Sequence, residues 1–245
     1  MRFDAYVFNC GLYPSRTKAA EAIARGEVLL DGKAVVKPAF TVTGEEKVEK
    51  SQADYVSLGG YKLERAFESF PISADDKIFV DVGASTGGFT QCLLSRGARK
   101  IYAVDVGESL LSAEIRKDPR VIPVENFNAR NLSPETLGEK TDGAVCDVSF
   151  ISLTYVLKPI FDLLKEGGFA VVLIKPQFEC GRDALNKHGV VTDDKKRRIA
   201  VDKIVSFSRS VGFIIGGVTE APLRQGKNVE YLLFLKKESV SVESF

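Results

Sequence analysis

From residue 62 onward the chain alternates short apolar runs with longer amphipathic stretches, and this alternation limits what it can fold into. The runs "KIFVDV", "KIYAVDV", "RVIPV", "DGAVCDV", "FAVVLIK", "FIIGGVT" and "VEYLLFL" are strand-sized. Helical segments such as "SLTYVLKPIFDLL" and "DDKKRRIAVDKIVSFSRSVG" fall between them. The second follows Thr192 with Asp193 and Asp194, a good helix start, and its "KKRR" reads as a solvated face. Strands alternating with helices predict a parallel sheet covered on both faces. The last pair departs from this rule, because "EAPLRQGKN" is too short to hold a crossover helix. Those two strands are therefore expected to be antiparallel neighbours.

A chain of 245 residues has room for one substantial domain and a small one. Its net charge of +1 means that any nucleic-acid partner must be met by a local patch. No apolar run approaches the ~18 residues of a membrane span. The start, "MRFDAYVFNCG", has an early acid and no long apolar region, unlike a signal peptide. Cys10, Cys92, Cys146 and Cys180 contain no C-x-x-C pair, so free thiols in a reducing cytoplasm are expected, without metal. Cys180 and His188 lack evident metal-ligating neighbours and read as structural.

The first 55 residues read as a separate small α+β module. An amphipathic stretch, "FDAYVFNCGL", ends near Gly11; Ser15 then caps a second helix that Gly26 terminates. Two β-branched runs flank Asp31-Gly32, a strong hairpin signal. Lys18 and Arg25 share one helix face, with Lys33 at the hairpin tip; alone, such a basic face is ordinary solvated surface. The spacing Ser15-Arg16, Ala19, Ile23, Gly26, Val28, Gly32 resembles the S4 RNA-binding domain, which implies that Arg16, Lys18, Arg25 and Lys33 contact RNA. Residues 56–61 are expected to be a linker, 62–237 the larger domain, and 238–245 a tail.

Seven strands with the last reversed resemble the Rossmann-like fold of S-adenosylmethionine-dependent methyltransferases. The turn "DVGASTGGFT" tests this reading. A dinucleotide turn would have glycine where Ser85 stands, and a phosphate-binding loop would have lysine where Phe89 follows Gly88. The pattern D-x-G-A-x-x-G-G-aromatic instead resembles the first motif of the FtsJ-like methyltransferases. It covers Asp81, Gly83, Ala84, Ser85, Gly87, Gly88 and Phe89. Small residues let the backbone approach the amino-acid part of the cofactor, and Asp81 can attract its ammonium. Asp105 ends the next strand, where a carboxylate can accept the ribose hydroxyls, and Asn128 follows the third, where an amide can read adenine.

Open α/β sheets bind ligands at the carboxyl ends of their strands. Asp147 ends the fourth strand and Lys175 the fifth, while Glu230 begins the reversed strand and so reaches the same edge. Lys62 starts the helix leading into the domain. A Lys–Asp–Lys–Glu set is similar to that of 2′-O-ribose methyltransferases. A ribose hydroxyl is a poor nucleophile, so it must be oriented and its proton removed. Lys175 is expected to be the base, with Asp147 and Glu230 balancing charge and Lys62 holding the ribose or phosphate.

The motifs "SRTKAAEAIARGEV", "SLGGYKLERA", "DVGASTGGFT", "CDVSFISL", "IKPQFE" and "GKNVEY" together resemble the TlyA/hemolysin A-like family. That resemblance implies 2′-O-methylation of a cytidine in large-subunit ribosomal RNA, with S-adenosylmethionine as donor. In some members the small subunit is also modified, and the chain's short length resembles the members acting on the large subunit alone. Two other classes stay open: a non-catalytic RNA-binding assembly protein, and a membrane-damaging hemolysin. The intact turn and charged set weigh against the first, and the absence of apolar spans against the second. The oligomeric state is left open.

Overall fold

The computed structural model describes residues 1–50, 55–222 and 227–238, with Arg25, Lys33 and Ala34 described in backbone only. The chain forms two compact units, Met1–Asp54 and Tyr55–Phe245.

In the first unit, α1 (Phe3–Asn9) and α2 (Arg16–Arg25) precede a hairpin of β1 (Val28–Leu30) and β2 (Lys33–Ala34). Ser15 Oγ accepts the Lys18 N–H at 3.2 Å, and Gly26 closes α2 at φ +80°, as the sequence predicts. Asp31 and Gly32 take the positive φ values that the hairpin turn requires. A further strand, β3 (Val48–Lys50), pairs with β1 where the sequence reads as the polar end of the module. The turn itself recruits this strand: Asp31 N–H donates to Lys47 O and Asp31 Oδ1 accepts Lys47 N–H, both at 2.8 Å. Phe3, Val7, Ala19, Ile23, Val28 and Val42 form the core between helices and sheet.

The second unit runs α3 (Gly59–Ser69), β4 (Ile78–Val82), α4 (Gly88–Ser95), β5 (Lys100–Val104), α5 (Ala113–Lys117) and β6 (Val121–Val124). Then come α6 (Pro134–Leu137), β7 (Thr141–Cys146), α7 (Leu157–Leu163), β8 (Leu164–Ile174) and α8 (Pro176–Glu179). It ends with α9 (Asp194–Val211), β9 (Ile214–Glu220) and β10 (Tyr231–Lys236). The strands form one seven-stranded sheet in the order β6-β5-β4-β7-β8-β10-β9. β10 is antiparallel to both its neighbours, and the other pairings are parallel. This is the expected architecture, with the reversed strand inserted between β8 and β9.

Both faces of the inner strands β5, β4, β7, β8 and β10 are buried, which explains why they read as near-continuous apolar runs. On one face Val80, Val172, Ile174 and Leu233 meet Leu157, Ile160 and Ile204 of α7 and α9. On the other, Phe79, Val171, Leu173 and Leu232 meet Leu63, Phe89 and Leu93 of α3 and α4. Residues 56–61 differ from the expected linker. Gly59, Gly60 and Tyr61 open α3, and Val56 N–H donates to Gln91 Oε1 of α4 at 2.7 Å. Gly60 is a packing glycine, since a Cβ there would lie 2.0 Å from the Tyr55 ring. Residues 239–245 of the expected tail, and 223–226 of the last connection, lie outside the described residues. Among the described residues, no helix is long and apolar enough to cross a membrane.

Gly143 shows how tightly the sheet centre is packed. A Cβ at this position of β7 would stand 2.2 Å from Cε1 of the fully buried Phe79. Gly143→Ala is expected to cost about 1–3 kcal/mol of stability. The change should appear as a lower urea midpoint with an unchanged slope. A midpoint equal to that of the wild type would show that Phe79 moves aside freely.

Candidate active site

The glycine turn leaves β4 and is braced by its neighbours. Gly83 N–H and Ala84 N–H both donate to Val104 O, at 2.8 and 3.1 Å. Gly83 has φ +84°, and a Cβ there would press to 2.7 Å from the backbone oxygen of Asp147. Gly87 has φ +98° and its Cβ would crowd Ile115 and Leu111. Ser85 adopts φ +50°, held by its N–H donating to Asp105 Oδ2 at 2.8 Å. Asp105 Oδ1 accepts Gly107 N–H at 2.9 Å, so this carboxylate organises the turn while keeping lone pairs for a ribose diol. Val106 and Leu110 expose apolar surface beside it, on which a flat ring could rest, a feature with no part in the sequence reading. The available signal was an apolar residue directly after a strand-end acid.

Asp81 is fully buried; its Oδ2 accepts the Thr90 hydroxyl at 2.6 Å, whereas Oδ1 has no partner among the described residues. Burial pushes this carboxyl up to about 7, with Thr90 opposing the shift. An orphaned buried carboxylate oxygen in the strand that delivers the turn fits the ammonium of an amino-acid moiety. Asn128 is exposed; its Oδ1 caps a short 3-10 turn by accepting Arg130 N–H at 3.1 Å, and its amide nitrogen, outside that bond, could donate to a ligand. Two residues expected at the cofactor also have packing duties. Gly88 lets α3 and the residues before it approach α4, since a Cβ there would meet Ser57 Oγ at 2.1 Å and Gly60 N of α3 at 2.9 Å, and Phe89 lies in the apolar core.

The four charged residues meet at the carboxyl edge in two ion pairs. Antiparallel pairing of Tyr231 with Ile174 sets Glu230 beside Lys175, and parallel pairing of Val82 with Cys146 sets Asp147 beside Gly83. Lys62 Nζ donates to Glu230 Oε2 at 2.6 Å. Lys175 Nζ lies 2.5 Å from Asp147 Oδ1 without hydrogen-bond alignment, and its aligned hydrogen bond goes to Ser149 Oγ at 2.7 Å. All four side chains are only 10–19% exposed, so their charges are poorly screened. Gln177 Nε2 adds a 3.4 Å contact to Glu230 Oε1. Ser149 and Gln177 lie within the motifs "CDVSFISL" and "IKPQFE" but have no assigned role in the sequence reading, because each acts only through a partner that the fold supplies.

The loop after β7 also holds an unexpected aromatic. Phe150 is 88% exposed at φ +67°, a costly conformation for a bulky residue, and its ring lies 5.2 Å from that of Phe178. Further along, the Arg130 guanidinium stacks 4.4 Å from the exposed Tyr155 ring.

In the first unit, Arg16 bonds to Asp4 (3.0 Å) and Lys18 to Glu21 (2.9 Å), while the side chains of Arg25 and Lys33 lie outside the described residues. Hydrogen bonding from Arg2, ahead of that from Arg16, holds the Asp4 carboxyl down at about 2. In "KKRR", Arg197 pairs with Asp194 and Lys196 reaches Asp183 O, whereas Lys195 and Arg198 are exposed. Cys180 Sγ contacts Lys196 O at 3.2 Å. Among the described residues, no group of His, Cys, Asp and Glu could hold a metal ion.

A doubly covered seven-stranded sheet with its last strand reversed, carrying a tight glycine turn braced by the acid at the next strand end, defines an S-adenosylmethionine-dependent methyltransferase. The profile of FtsJ-like methyltransferases matches residues 55–237 and that of the S4 domain residues 1–48. The chain belongs to the FtsJ-like methyltransferase family, with an S4 domain at its N-terminus.

Similar proteins cover nearly all of it. Hemolysin A of Brachyspira hyodysenteriae is 42% identical over 95% of this chain and 98% of its own length. The 16S/23S rRNA (cytidine-2′-O)-methyltransferase TlyA of Mycobacterium tuberculosis is 41% identical over 97% of this chain and 90% of its own. The 23S rRNA (cytidine-2′-O)-methyltransferase TlyA of Campylobacter jejuni is 36% identical over 97% and 100%. Among solved structures, a Streptococcus thermophilus protein described as a hemolysin superposes with a TM-score of 0.75 at 35% identity, covering 97% of this chain and 88% of that one. A Mesorhizobium loti S-adenosylmethionine-dependent methyltransferase shares the fold at TM-score 0.55 and 14% identity, over 74% of this chain and all of its own.

The Asp81 shift has a measurable consequence. The folded state holds this proton up to about pH 7, whereas the ordinary carboxyl value is 3.8. Between roughly pH 4 and 7 the folded chain therefore binds the extra proton. The associated stability is present below pH 4 and lost as pH rises through 7. Without cofactor, Asp81→Asn should be more stable than wild type at pH 8, with the advantage shrinking toward pH 4 in thermal melts. An advantage independent of pH would remove the titration from Asp81.

Proposed function

We propose that this protein transfers the methyl group of S-adenosylmethionine to the 2′-hydroxyl of a cytidine in large-subunit ribosomal RNA, the class of reaction named for its TlyA relatives. The observation that carries this reading is the pairing Lys62–Glu230 and Lys175–Asp147, with Ser149, on the strand edge beside the glycine turn. Bound there, the cofactor supplies an electrophilic methyl on a sulfonium, which needs no acid or metal assistance. The protein's task is to orient a weak nucleophile and receive its proton.

The Lys175 ammonium paired with Asp147 first loses its own proton to solvent; its Nζ then accepts the hydroxyl proton as the ribose oxygen bonds the methyl carbon and the carbon–sulfur bond breaks, its electron pair staying on sulfur as a neutral thioether. Asp147 and Ser149 hold Lys175 at this position. Lys62, fixed by Glu230, binds ribose or phosphate oxygens. Phe150 offers an exposed aromatic face next to Ser149, suited to a base extruded from its stack. Arg16 and Lys18 are exposed enough to exchange their carboxylate partners for RNA phosphates, and Arg25 and Lys33 are assigned the same role. A ribosomal RNA substrate supports a cytoplasmic location as part of this reading. Small-subunit methylation, as in the name of the Mycobacterium tuberculosis relative, is a second target to map.

Purified protein with undermethylated ribosomal subunits and labelled methyl donor should label a ribose, located by nuclease mapping. Lys175→Ala should lower the rate by at least about 100-fold, the scale of general-base catalysis. Its cofactor affinity should stay close to wild type; unchanged turnover would exclude Lys175 as the base. RNA binding by the wild type without any transfer would favour an assembly role. Lysis of erythrocytes by lipid-free protein would favour the hemolysin reading.

Phe150→Ala should lower kcat/KM for the subunit by roughly 5- to 100-fold, as expected for one lost base stack of about 1–3 kcal/mol. The thermal midpoint should not fall, because the side chain is exposed. Unaltered kcat/KM would remove the base contact.

A further inference from the structure

We propose that Glu179 is a positioning residue for the reacting edge: its buried carboxylate clamps the loop bearing Ser149 and Phe150 onto the segment bearing Lys175. The proposal rests on the methyl-transfer reading for its consequence in catalysis, but the clamp itself is a matter of geometry. Glu179 ends α8, and its side chain is 1% exposed. Its Oε1 accepts Leu153 N–H at 2.8 Å, and its Oε2 accepts the Ser152 hydroxyl at 2.6 Å and Lys203 Nζ at 3.0 Å. Lys203, from α9, also donates to the Glu179 backbone oxygen at 3.2 Å. A carboxylate is costly to bury, and this one is retained with donors from two other segments of the chain. Packing alone would be served by an apolar side chain.

What the carboxylate holds explains its placement. The loop after β7 is fixed at its start by Asp147 N–H donating to Val82 O at 2.9 Å. It is fixed at its end by Glu179 on Ser152 and Leu153. Between these anchors sits Phe150 at φ +67°. A bulky residue persists in that conformation only where the surroundings over-determine it. Lys175 is the extended cap of the single turn α8 that carries Phe178 and Glu179, its backbone oxygen accepting Phe178 N–H at 2.9 Å, and each of the three engages this loop. Lys175 bonds Ser149, Phe178 lies against Phe150, and Glu179 bonds Ser152 and Leu153. Loop and turn thus form one clasp, with the reacting lysine at one end and the buried carboxylate at the other. Glutamine at position 179 would match the shape but present an amide donor to groups that are themselves donors.

The chain contains no tryptophan, so Phe150→Trp introduces a single reporter into the loop. In that background, Glu179→Gln should increase the fast local component of the indole's anisotropy decay well below the thermal midpoint. Amide exchange across residues 149–153 should rise in parallel. On the native Phe150 background, Glu179→Gln should lower kcat for methyl transfer at least tenfold, with cofactor affinity within about twofold of wild type. Ser152→Ala, which removes one donor only, should shift the same readouts in the same direction by less and serves if Glu179→Gln does not fold. Unchanged anisotropy and exchange in both variants would overturn the clamp. Loosening of the loop with kcat unchanged would overturn its positioning role. Loosening in a protein whose wild type transfers no methyl to ribosomal RNA would support the clamp while refuting the substrate reading.

Discussion

The reversed strand β10 is the constraint on which the rest of the site depends. The connection from β9 is too short for a crossover helix, so β10 must return antiparallel, and it inserts between β9 and β8. A strand that runs against its neighbours starts where they end. Glu230, directly before β10, therefore arrives at the carboxyl edge beside Lys175, and Lys62 on α3 closes the pair. With parallel strands alone, that edge would carry only residues that follow strands, and the second ion pair would lose its acid.

The glycine turn and the charged edge are mechanically continuous. Gly83 lacks a side chain because the Asp147 backbone oxygen lies against it, so the loop that shapes the cofactor turn also sets the strand end bearing Asp147. Asp105 spends one lone pair of each oxygen on the turn's amides and retains others for a ligand. Asp81 is buried with one oxygen unpartnered among the described residues, a costly arrangement that an ammonium at this oxygen would relieve. Tension of this kind, at Asp81 and again at Phe150, is concentrated around one edge of the sheet.

Much of the architecture was legible in the residues. Apolar runs long enough for strands, caps at Ser15, Asp193 and Gly26, and the Asp31-Gly32 turn are local features that the structure realises. Strand β3 was not legible, since "VEK" has little strand character and is recruited by the Asp31 turn. The glycines of "SLGG" read as linker flexibility, whereas they are the contact surface for Tyr55, Phe89 and Gly88. In the site, strand-end charges were visible because their positions follow from topology. Ser149, Gln177 and Glu179 were not, because a serine, a glutamine or an acid in a loop acquires meaning only through the atom opposite it.

The sequence by itself determined the two-part organisation, the doubly covered sheet with its reversed strand, and the kind of cofactor turn, because helix and strand periodicity, caps and turn chemistry are local properties. Only the tertiary structure decided which charges pair, which glycines pack against neighbouring backbone or side chains, and that Phe150 stands exposed on a strained loop tied down by Glu179. Those outcomes depend on distances of a few ångströms between segments far apart in the chain, and such distances are set by packing, not by any pattern along it.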